Sequence, residues 1–490
     1  MNMNEGETDK LKVTSCTLTE LLECNTNEIP NTGIVAQLNI PEYQRPYVWN
    51  EKQINKLLDD WIEYKKIDRD KPLYYLGSII LHKDDKGFLN VIDGQQRITT
   101  ALLIKKIKDE EIKGGIKFSN SKSIEQIKKN LSYLKAIKNR DVFEYSEHDV
   151  LDTINFNQIN ITLVITNSED LAYTFFETQN TGGVRLSGSD ILKAHHLRAV
   201  QNIKMVNYQA RRWETYDNNE IEYIVQQLTK VRFWDNRHWK HFPFYRDKKG
   251  IKQSIVDEFT LKTNTRNDNI SYYFSAVNKS ADRLVQMHES QYKMLKQPLS
   301  NGNNALDYIN EYTELYFILF KQENHHLIDD RFYDFRKAII NGNNGTIFLK
   351  ELFEVSILSY VSRFGYHKLF EASLWIYRAI YSLRVSSKRN VREDSVFKFV
   401  YDNQFIDNIL EVFTPDELFN FLKKMRYKFD TDYLMENENV EKNTVKTRYI
   451  NSLSDYFPEM KLTKYYFNNK REFDKDLKKA INIKLEQKNE

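Results

Sequence analysis

The sequence predicts an α+β protein in which a small mixed β-sheet domain with helices precedes a large α-helical domain. Strand patterns are confined to the first 200 residues, whereas residues 201–490 repeat apolar side chains at helical spacing without a clear strand pair. Glycine and proline are scarce, with 15 and 8 among 490 residues, which also favours helices. The predicted domains are therefore residues 1–200 and residues 201–490.

The composition excludes several classes of protein. With 41% hydrophobic and 29% charged residues, the chain is typical of globular rather than disordered proteins. No apolar run reaches the roughly 18 residues of a membrane span, and the N-terminus lacks the apolar core of a signal peptide. Cys16 and Cys24 have no metal-ligand companions and favour a reducing compartment. We therefore predict a cytoplasmic protein without a membrane partner, and the net charge of only +3 restricts any nucleic-acid surface to a local patch.

Local patterns predict the elements of the first domain in chain order. Alternating apolar residues from Gly33 onward predict a strand, and Asn50 forms a capping box with Gln53 before a helix. The runs YYLGSIILHK and FLNVID predict two strands joined by a turn at residues 84–87. Further predictions are a strand at NITLVIT and helices at ITTALLIKKIKDEEI, SIEQIKKNLSYLKAIK, EDLAYTFFETQ and SDILKAHHLRAV, the last capped by Ser189.

The stretch FLNVIDGQQRITTALLI, residues 88–104, is the main candidate for a functional site. A strand that ends at Asp93 and turns into a helix directs unpaired N–H groups and the positive end of the helix dipole at one point, which favours phosphate. Gly94 permits close approach of a ligand, and Arg97 offers two parallel hydrogen bonds to a phosphate. Thr99 and Thr100 offer hydroxyls to phosphate or to a magnesium-bound water.

The same stretch also has a purely structural interpretation. Asp93 caps the helix, Gln96 closes a capping box, and Arg97 pairs with a surface carboxylate. Helix caps are common and phosphate sites are not, so the functional interpretation depends on other parts of the sequence.

Two further stretches carry groups suited to a nucleotide. PEYQRPYVW, residues 41–49, places Arg45 beside Gln44 and Tyr47, which supply hydrogen bonds and stacking for a base, sugar or phosphate. FFETQNTGGVRLSGSDILK, residues 175–193, places Asn180 and a glycine pair before a helix that contains Lys193. Burial of the aromatic rings in a core and a tight turn between two helices are the structural alternatives.

Together the three stretches resemble the N-terminal domain family of GmrSD-type restriction systems. The matching residues are Tyr43–Trp49 (YQRPYVW), Asp93–Thr99 (DGQQRIT), Asn180, Gly183, Leu186, Asp190, Ile191, Leu192 and Lys193. The family is similar to the ParB and sulfiredoxin fold, in which a Gly-x-x-Arg turn before a helix holds nucleotide phosphates. The resemblance implies a ParB/sulfiredoxin-like domain that binds and hydrolyses a nucleoside triphosphate, such as GTP or ATP, with Mg²⁺.

The resemblance also implies roles for individual residues. The implied nucleotide-binding residues are Gln44, Arg45, Tyr47, Gly94, Gln95, Gln96, Arg97, Thr99, Thr100, Asn180 and Lys193. Asp93 and Arg97 are the catalytic candidates, because charge stabilisation dominates phosphoryl transfer, and Asp93 is also the candidate metal ligand.

The implied biological role is that of a sensor or regulatory subunit in an anti-phage or modified-DNA restriction system that acts on DNA. Many relatives continue into an HNH nuclease domain, whose chemistry needs a histidine beside further ligands. The ten histidines, among them His238 and His241, do not form that pattern. A separate nuclease subunit, of the HNH type, is therefore expected, and the sequence leaves a homo-oligomer open.

Basic and aromatic residues interleave between Arg211 and Arg246, a pattern found on nucleic-acid surfaces. The candidate DNA-binding residues are Arg211, Arg212, Arg232, Arg237 and Lys240, and a second basic group comprises Arg384, Lys388, Arg389 and Arg392. Buried rings with a solvated basic rim, or a charged loop, explain the same patterns structurally.

Two other functions are compatible with the sequence. A non-hydrolysing specificity factor would use the same pocket to sense a nucleotide or a DNA phosphate. A metal-dependent DNA nuclease would instead arrange Asp93, Glu42 or Glu177 around a metal ion.

Overall fold

The computed structural model divides the chain into two compact units, Met1–Leu186 and Ser187–Glu490. The residues described are 11–67, 72–112, 115–118, 120–138, 150–169, 171–172, 187–234, 242–265, 268–280, 283–342, 347–388, 390–432, 434, 444–462, 466–467 and 472–487. This boundary assigns the helix that begins at Gly188 to the second unit, whereas the sequence division placed it in the first. The helix belongs there because it packs on the helices that follow it.

The first unit contains a five-stranded mixed sheet with the strand order β1-β5-β3-β4-β2. The strands are β1 (Leu11–Thr17), β2 (Gln37–Asn39), β3 (Tyr74–Lys83), β4 (Phe88–Asp93) and β5 (Ile159–Thr166). The pairs β3/β5 and β2/β4 are parallel, and the pairs β1/β5 and β3/β4 are antiparallel. The predicted mixed sheet is confirmed, although the strand expected from Gly33 is shorter and begins only at Gln37.

The predicted turn between β3 and β4 is confirmed. The carboxylate Oδ1 of Asp84 accepts hydrogen bonds from the N–H groups of Lys86 and Phe88, at 3.0 and 2.8 Å. Gly87 adopts a φ of +83°, a conformation that side chains other than glycine rarely adopt. This hairpin brings the chain to the start of the candidate site at the end of β4.

Five α-helices with both ends inside the described part of the first unit accompany the sheet. They are α1 (Leu18–Leu22), α2 (Glu51–Lys66), α3 (Gln95–Ile107), α4 (Ser121–Lys138) and α5 (Val150–Thr153). The predicted capping box of Asn50 and Gln53 is present at the start of α2. Apolar residues from all five helices join one face of the sheet in the main core, which also buries both cysteines. Burial raises the pKa of each thiol to about 12, so both stay protonated at neutral pH.

The opposite face of the sheet carries a smaller apolar cluster. Ile80, Ile92 and Val164 of three neighbouring strands pack with Ala172, and Tyr43 covers them. Tyr43 belongs to the first sequence motif and Ile92 lies just before the second. The two motifs therefore meet at the carboxyl end of β4.

The second unit is mostly helical, as the sequence predicts. Its helices are α6 (Gly188–Arg198), α7 (Ile203–Glu214), α8 (Asn218–Trp234), α9 (Lys248–Val256), α10 (Asn303–Phe320), α11 (Asp330–Phe335), α12 (Ile347–Phe364), α13 (Leu369–Ser386), α14 (Glu393–Asp402), α15 (Phe405–Glu411), α16 (Pro415–Lys424), α17 (Val445–Tyr456) and α18 (Phe473–Glu486). None of the helices in the described part of the chain is long and apolar enough to span a membrane.

A β-hairpin in the second unit was not predicted. Strands β6 (Tyr273–Ser280) and β7 (Arg283–Lys293) pair in an antiparallel manner. The pairing register shifts twice in β6, between Tyr273 and Ser275 and between Ala276 and Val277. Such irregularities interrupt the alternation of side chains between the two faces, which is the signal that a sequence offers for a strand.

The cap of α6 lies two residues earlier than predicted. The Ser187 hydroxyl accepts a hydrogen bond from the N–H of Asp190 at 3.1 Å, and the Asp190 carboxylate accepts one from the N–H of Ser187 at 3.1 Å. Ser189 instead lies in the first turn and is buried. Ser187 lies three residues before Asp190, and this spacing predicts a capping box, whereas Ser189 has no carboxylate at that spacing. The helix predicted at EDLAYTFFETQ lies largely outside the described residues.

Candidate functional site

The candidate site is built around a left-handed glycine between β4 and α3. Gly94 has φ of 98° and ψ of 0° and forms the first cap position of α3, without a side-chain cap. A Cβ atom at this position would lie 2.7 Å from the Cγ1 of Ile79. Both the positive φ and the close contact require glycine here. The predicted cap by Asp93 and the capping box with Gln96 are wrong, because Gly94 is the cap residue.

The uncapped start of α3 leaves donors without acceptors. Within the described structure, the backbone N–H groups of Gln95, Gln96 and Arg97 donate to no protein acceptor. The positive end of the helix dipole lies at the same place. The turn therefore has the geometry that binds anions at helix starts.

Two side chains beside these N–H groups are buried and unsatisfied. Gln95 is 5% exposed and Thr99 is 1% exposed. Gln95 Oε1 and Thr99 Oγ1 have no hydrogen-bond partner in the part of the chain that the structure describes. The residues are four apart and so lie on one face of α3. Buried polar atoms without partners are uncommon and often mark a bound ligand or water.

Arg97 does not point away from the protein towards a ligand. Its Nη1 donates to the carbonyl oxygen of Leu76 at 3.2 Å, and its Nη2 donates to that of Ser78 at 2.7 Å. Nη2 also pairs with Asp93 Oδ2 at 3.0 Å, one turn away along the chain. The guanidinium therefore ties the start of α3 to strand β3.

Gly77 makes room for the guanidinium, and sequence reasoning missed it. It has a φ of +111° at a register shift of β3, between the two carbonyl groups that Arg97 contacts. A Cβ atom there would lie 2.5 Å from Arg97 Nη1. The available signal was a glycine inside an apolar strand, which indicates a bulge or a close approach.

Replacing Gly77 with alanine is expected to lower the free energy of unfolding by about 2–4 kcal/mol, because backbone strain adds to displacement of Arg97. Gly87→Ala is the matched control, since Gly87 also has a positive φ but its Cβ would meet nothing within 4 Å. It should cost only the strain, about 1 kcal/mol. Scanning calorimetry of the full chain measures both. Equal losses would show that Arg97 does not depend on Gly77.

Side chains of the two N-terminal motifs bind one another. Gln96 Oε1 accepts from the N–H groups of Val48 and Trp49 at 2.9 and 3.1 Å, and its Nε2 donates to the carbonyl of Pro46 at 3.1 Å. Gln44 Nε2 donates to the carbonyl of Ile92 at 3.1 Å. These contacts hold residues 44–49 beside the start of α3.

Tyr47 and Thr100 lie in a buried hydrogen-bonded group rather than at the surface. Their hydroxyl oxygens are 2.8 Å apart, and Asn130 Nδ2 of α4 donates to the Tyr47 hydroxyl at 3.0 Å. The N–H of Tyr47 donates to Ser123 Oγ at 3.0 Å. Burial raises the pKa of the phenol, although these hydrogen bonds oppose the shift. In this conformation the two side chains join the loop of the first motif, α3 and α4.

The third motif contributes less to the described site. Asn180 lies outside the described residues. Lys193 is buried in the second unit, where its Nζ pairs with Glu214 Oε1 of α7 at 2.7 Å. A lysine that is buried against a carboxylate already has its counterion, so its predicted phosphate contact is not available in this conformation.

A metal at this site would depend on Asp93. Among the described residues, no group of three or more His, Cys, Asp or Glu side chains is arranged to hold a metal ion. Asp93 is partly exposed, and only its Oδ2 is bonded to Arg97. Mg²⁺ commonly takes one or two protein carboxylates and completes its shell with phosphates and water. The residues therefore fit a magnesium ion that arrives with a nucleotide rather than a protein cage, and Glu177, His238 and His241 lie outside the described residues.

Comparison with known families supports the motif-based interpretation. Residues 18–197 match the family described as GmrSD restriction endonuclease, N-terminal domain. The first part of the chain is a GmrSD-type N-terminal domain. Residues 205–442 match a family of unknown function, DUF7834, and no curated protein matches the chain. Neither matched region is an HNH domain, and the predicted resemblance is confirmed.

The fold buries part of the predicted basic and aromatic surface between Arg211 and Arg246 and leaves part of it exposed. Arg232 is largely covered, with 11% of its side chain exposed; its Nε pairs with Glu258 at 2.8 Å and its Nη1 donates to two backbone carbonyl groups. Arg212 pairs with Asp307 at 3.0 Å, whereas Arg211, Phe244, Tyr245 and Arg246 are exposed. Trp213, Phe233 and Phe242 are core residues, and Arg237 and Lys240 lie outside the described residues.

The residues of the second basic group lie in different environments and do not share one exposed surface in the described structure. Arg384 is buried on α13, and Lys388 pairs with Asp432 at 2.8 Å. Arg392 is exposed before α14, and Arg389 lies outside the described residues. The helical spacing of apolar residues did not reveal that Arg384 is buried or that Lys388 is paired, because both depend on residues far away in the sequence.

Proposed function

We propose that the GmrSD-type domain binds a nucleoside triphosphate at the start of α3 and hydrolyses it with Mg²⁺. The observation that carries this proposal is the uncapped helix start beside the unsatisfied Gln95 and Thr99. Leaving a buried polar group unsatisfied costs about 1–3 kcal/mol, so a phosphate that accepts from the Thr99 hydroxyl recovers part of that energy, whereas the Gln95 amide oxygen needs a donor such as a ligand hydroxyl or water. Phosphate accepts hydrogen bonds from N–H and hydroxyl donors, and the helix dipole favours its negative charge.

Arg45 is the candidate cation for neutralising a phosphate. It is half-buried, and within the described part of the chain its guanidinium makes no hydrogen bond or ion pair. The neighbouring Gln44 is bonded to the carbonyl of Ile92, two residues before Gly94. We therefore assign phosphate binding to Arg45 and the α3 N–H groups, while Arg97 positions the turn. Transition-state charge would be stabilised by these preorganised donors, and Asp93 would hold the metal or orient water.

The family match supports a component of a GmrSD-type restriction system. We infer that this component is the sensor or regulatory subunit, in which nucleotide turnover controls action on DNA by a separate nuclease of the HNH type. A homo-oligomer, a cytoplasmic location and the relation to the ParB and sulfiredoxin fold remain predictions from the sequence.

A second candidate is a binding module without hydrolysis. It is favoured by the Asp93–Arg97 ion pair, because both predicted catalytic groups are already bonded to each other at 3.0 Å. Titration calorimetry with a slowly hydrolysed triphosphate analogue and Mg²⁺, combined with a phosphate-release assay, separates the two functions. Binding together with release supports hydrolysis, binding alone supports the second candidate, and no binding contradicts both.

Adjacent threonines on α3 provide a matched test of the phosphate site. Thr99→Val removes a hydroxyl that has no protein partner, so it should leave stability within about 0.5 kcal/mol of wild type and weaken analogue binding about fivefold or more. Thr100→Val removes the partner of Tyr47 and should cost about 1–2 kcal/mol of stability. Urea unfolding and calorimetry measure the two effects. Unchanged analogue affinity in Thr99→Val would contradict the assignment of this face of α3.

A further inference from the structure

The positive charge of the chain is concentrated on α4. This helix carries five lysines, Lys122, Lys128, Lys129, Lys135 and Lys138, and one acidic residue, Glu125. Its net charge of +4 exceeds the +3 of the whole chain, so all other residues together carry −1. A local basic surface therefore exists even though the overall charge is close to zero.

Part of this charge faces solvent without a counterion, whereas Lys138 at the end of α4 pairs with Asp109 at 3.9 Å. Lys128 and Lys135 are exposed on α4, and Lys52 is exposed in the first turn of α2. In the described part of the chain, none of these three ammonium groups pairs with a carboxylate. Lys129 does pair with Glu125, at 2.6 Å, but both side chains are exposed, and such pairs contribute little energy. These lysines are therefore available to an anionic partner.

The lysines border a concave surface of the first unit. A cleft of about 830 Å³ lies between the start of α2 and the middle of α4. It is lined by residues of polar and charged types, which are Asn50, Glu51, Lys52, Gln126, Lys128, Lys129, Asn130, Ser132 and Tyr133. The Tyr133 hydroxyl donates to Asn55 of α2 at 2.6 Å, and Gln126 Nε2 donates to the carbonyl of Trp49 at 3.0 Å. The two helices that form the cleft are thus fixed to each other and to the loop of the first motif.

The chemistry of the cleft fits the phosphate backbone of duplex DNA. A membrane-binding helix would need several large aliphatic side chains beside its lysines, whereas none of the described residues that line the cleft is aliphatic. A single strand would need rings on which bases stack, and Tyr133 is the one aromatic residue in the lining. Lysine ammonium groups and amide side chains, in contrast, are common contacts to duplex phosphates. The helix is about 27 Å long, and so its face spans most of one duplex turn of about 34 Å.

We propose that the cleft between α2 and α4 is a binding surface for the backbone of duplex DNA, with Lys52, Lys128 and Lys129 as its phosphate contacts. Binding is independent of base sequence, because phosphates carry no sequence information. The inference extends the proposed action on DNA. The DNA-binding test contains no nucleotide. A negative result therefore contradicts DNA binding at the cleft without bearing on nucleotide binding at the start of α3.

The test measures binding of a fluorescent DNA duplex to the full chain by anisotropy, at several salt concentrations. The variant Lys52→Gln/Lys128→Gln/Lys129→Gln is expected to raise the Kd about tenfold or more, and to reduce the salt dependence of log Kd by up to about three units of slope. The matched control is Lys398→Gln/Lys424→Gln/Lys479→Gln, which removes the same charge from exposed positions on three other helices. It should change the Kd by no more than about twofold.

Several results would overturn the proposal. They are absence of duplex binding by the wild-type chain, equal weakening in the two triple variants, and an unchanged Kd in the cleft variant. Tighter binding of an acidic peptide such as polyglutamate, or of phosphatidylserine vesicles, than of duplex DNA at equal charge concentration would also overturn it. Unchanged thermal unfolding of both variants establishes that the comparison concerns binding rather than folding.

Discussion

Replacing Arg97 with alanine is expected to lower the free energy of unfolding by about 2–4 kcal/mol and to abolish nucleotide turnover. The substitution leaves the carbonyl oxygens of Leu76 and Ser78 without their donor and leaves the Asp93 carboxylate without its counterion. The start of α3 then loses its connection to β3, and the N–H groups no longer share one fixed direction. Denaturant unfolding and phosphate release measure the two consequences.

The variant Arg45→Ala, measured in the same two assays, separates the role of Arg45 from that of Arg97. Because Arg45 has no bond in the described structure, its loss should leave stability within about 0.5 kcal/mol of wild type. Nucleotide affinity should nevertheless fall about tenfold or more, since the cation assigned to the phosphate is gone. The opposite result, a stable Arg97→Ala and an unstable Arg45→Ala, would reverse the roles that the structure assigns to the two arginines.

Replacing His196 with leucine is expected to make the protein more resistant to acid. His196 is fully buried on α6, and desolvation, with a smaller effect of His195, lowers its pKa from 6.5 to about 3. The unfolded chain takes up a proton below pH 6.5 and the folded chain does not, so stability is full above pH 6.5 and falls as the pH drops towards 3. The loss is about 1.4 kcal/mol per pH unit.

The leucine variant should therefore gain about 2–3 kcal/mol relative to wild type between pH 7.5 and pH 4.5. Urea unfolding across this range measures the difference, in which contributions from other titrating groups cancel. His326→Leu, at an exposed position, is the control and should follow the wild-type curve. A pH dependence of His196→Leu that parallels wild type would show that His196 takes up its proton without unfolding.

Local signals in the sequence predicted the parts of the fold that depend on neighbouring residues. The capping box of Asn50, the turn at Asp84 and the strand-to-helix change at Gly94 each involve residues fewer than five positions apart. Their geometry is determined by short-range hydrogen bonds and by φ, which a single sequence reveals. The presence of the GmrSD-type domain was predictable for a related reason, since its motifs are contiguous.

The direction of long side chains was not predictable in the same way. Arg97 bonds to residues 19 and 21 positions away, and Arg232 donates to carbonyl groups 63 and 65 positions away. A guanidinium donates hydrogen bonds to carbonyl oxygens as well as to phosphates, so its residue type alone does not distinguish a structural from a ligand-binding role. Thr99 and Thr100 are likewise the same residue type, but the fold places a hydrogen-bond partner, Tyr47, beside Thr100 and none beside Thr99 in the described structure.

The central claim is that the α3 N–H groups bind nucleotide phosphates, and amide hydrogen exchange of the full chain tests it directly. The N–H groups of Gln95, Gln96 and Arg97 have no protein acceptor in the described structure. We expect the peptides that contain them to exchange rapidly in the free protein and several-fold more slowly with Mg²⁺ and a slowly hydrolysed triphosphate analogue. Saturating analogue binding, established by calorimetry, without slower exchange at residues 95–97 would contradict the account.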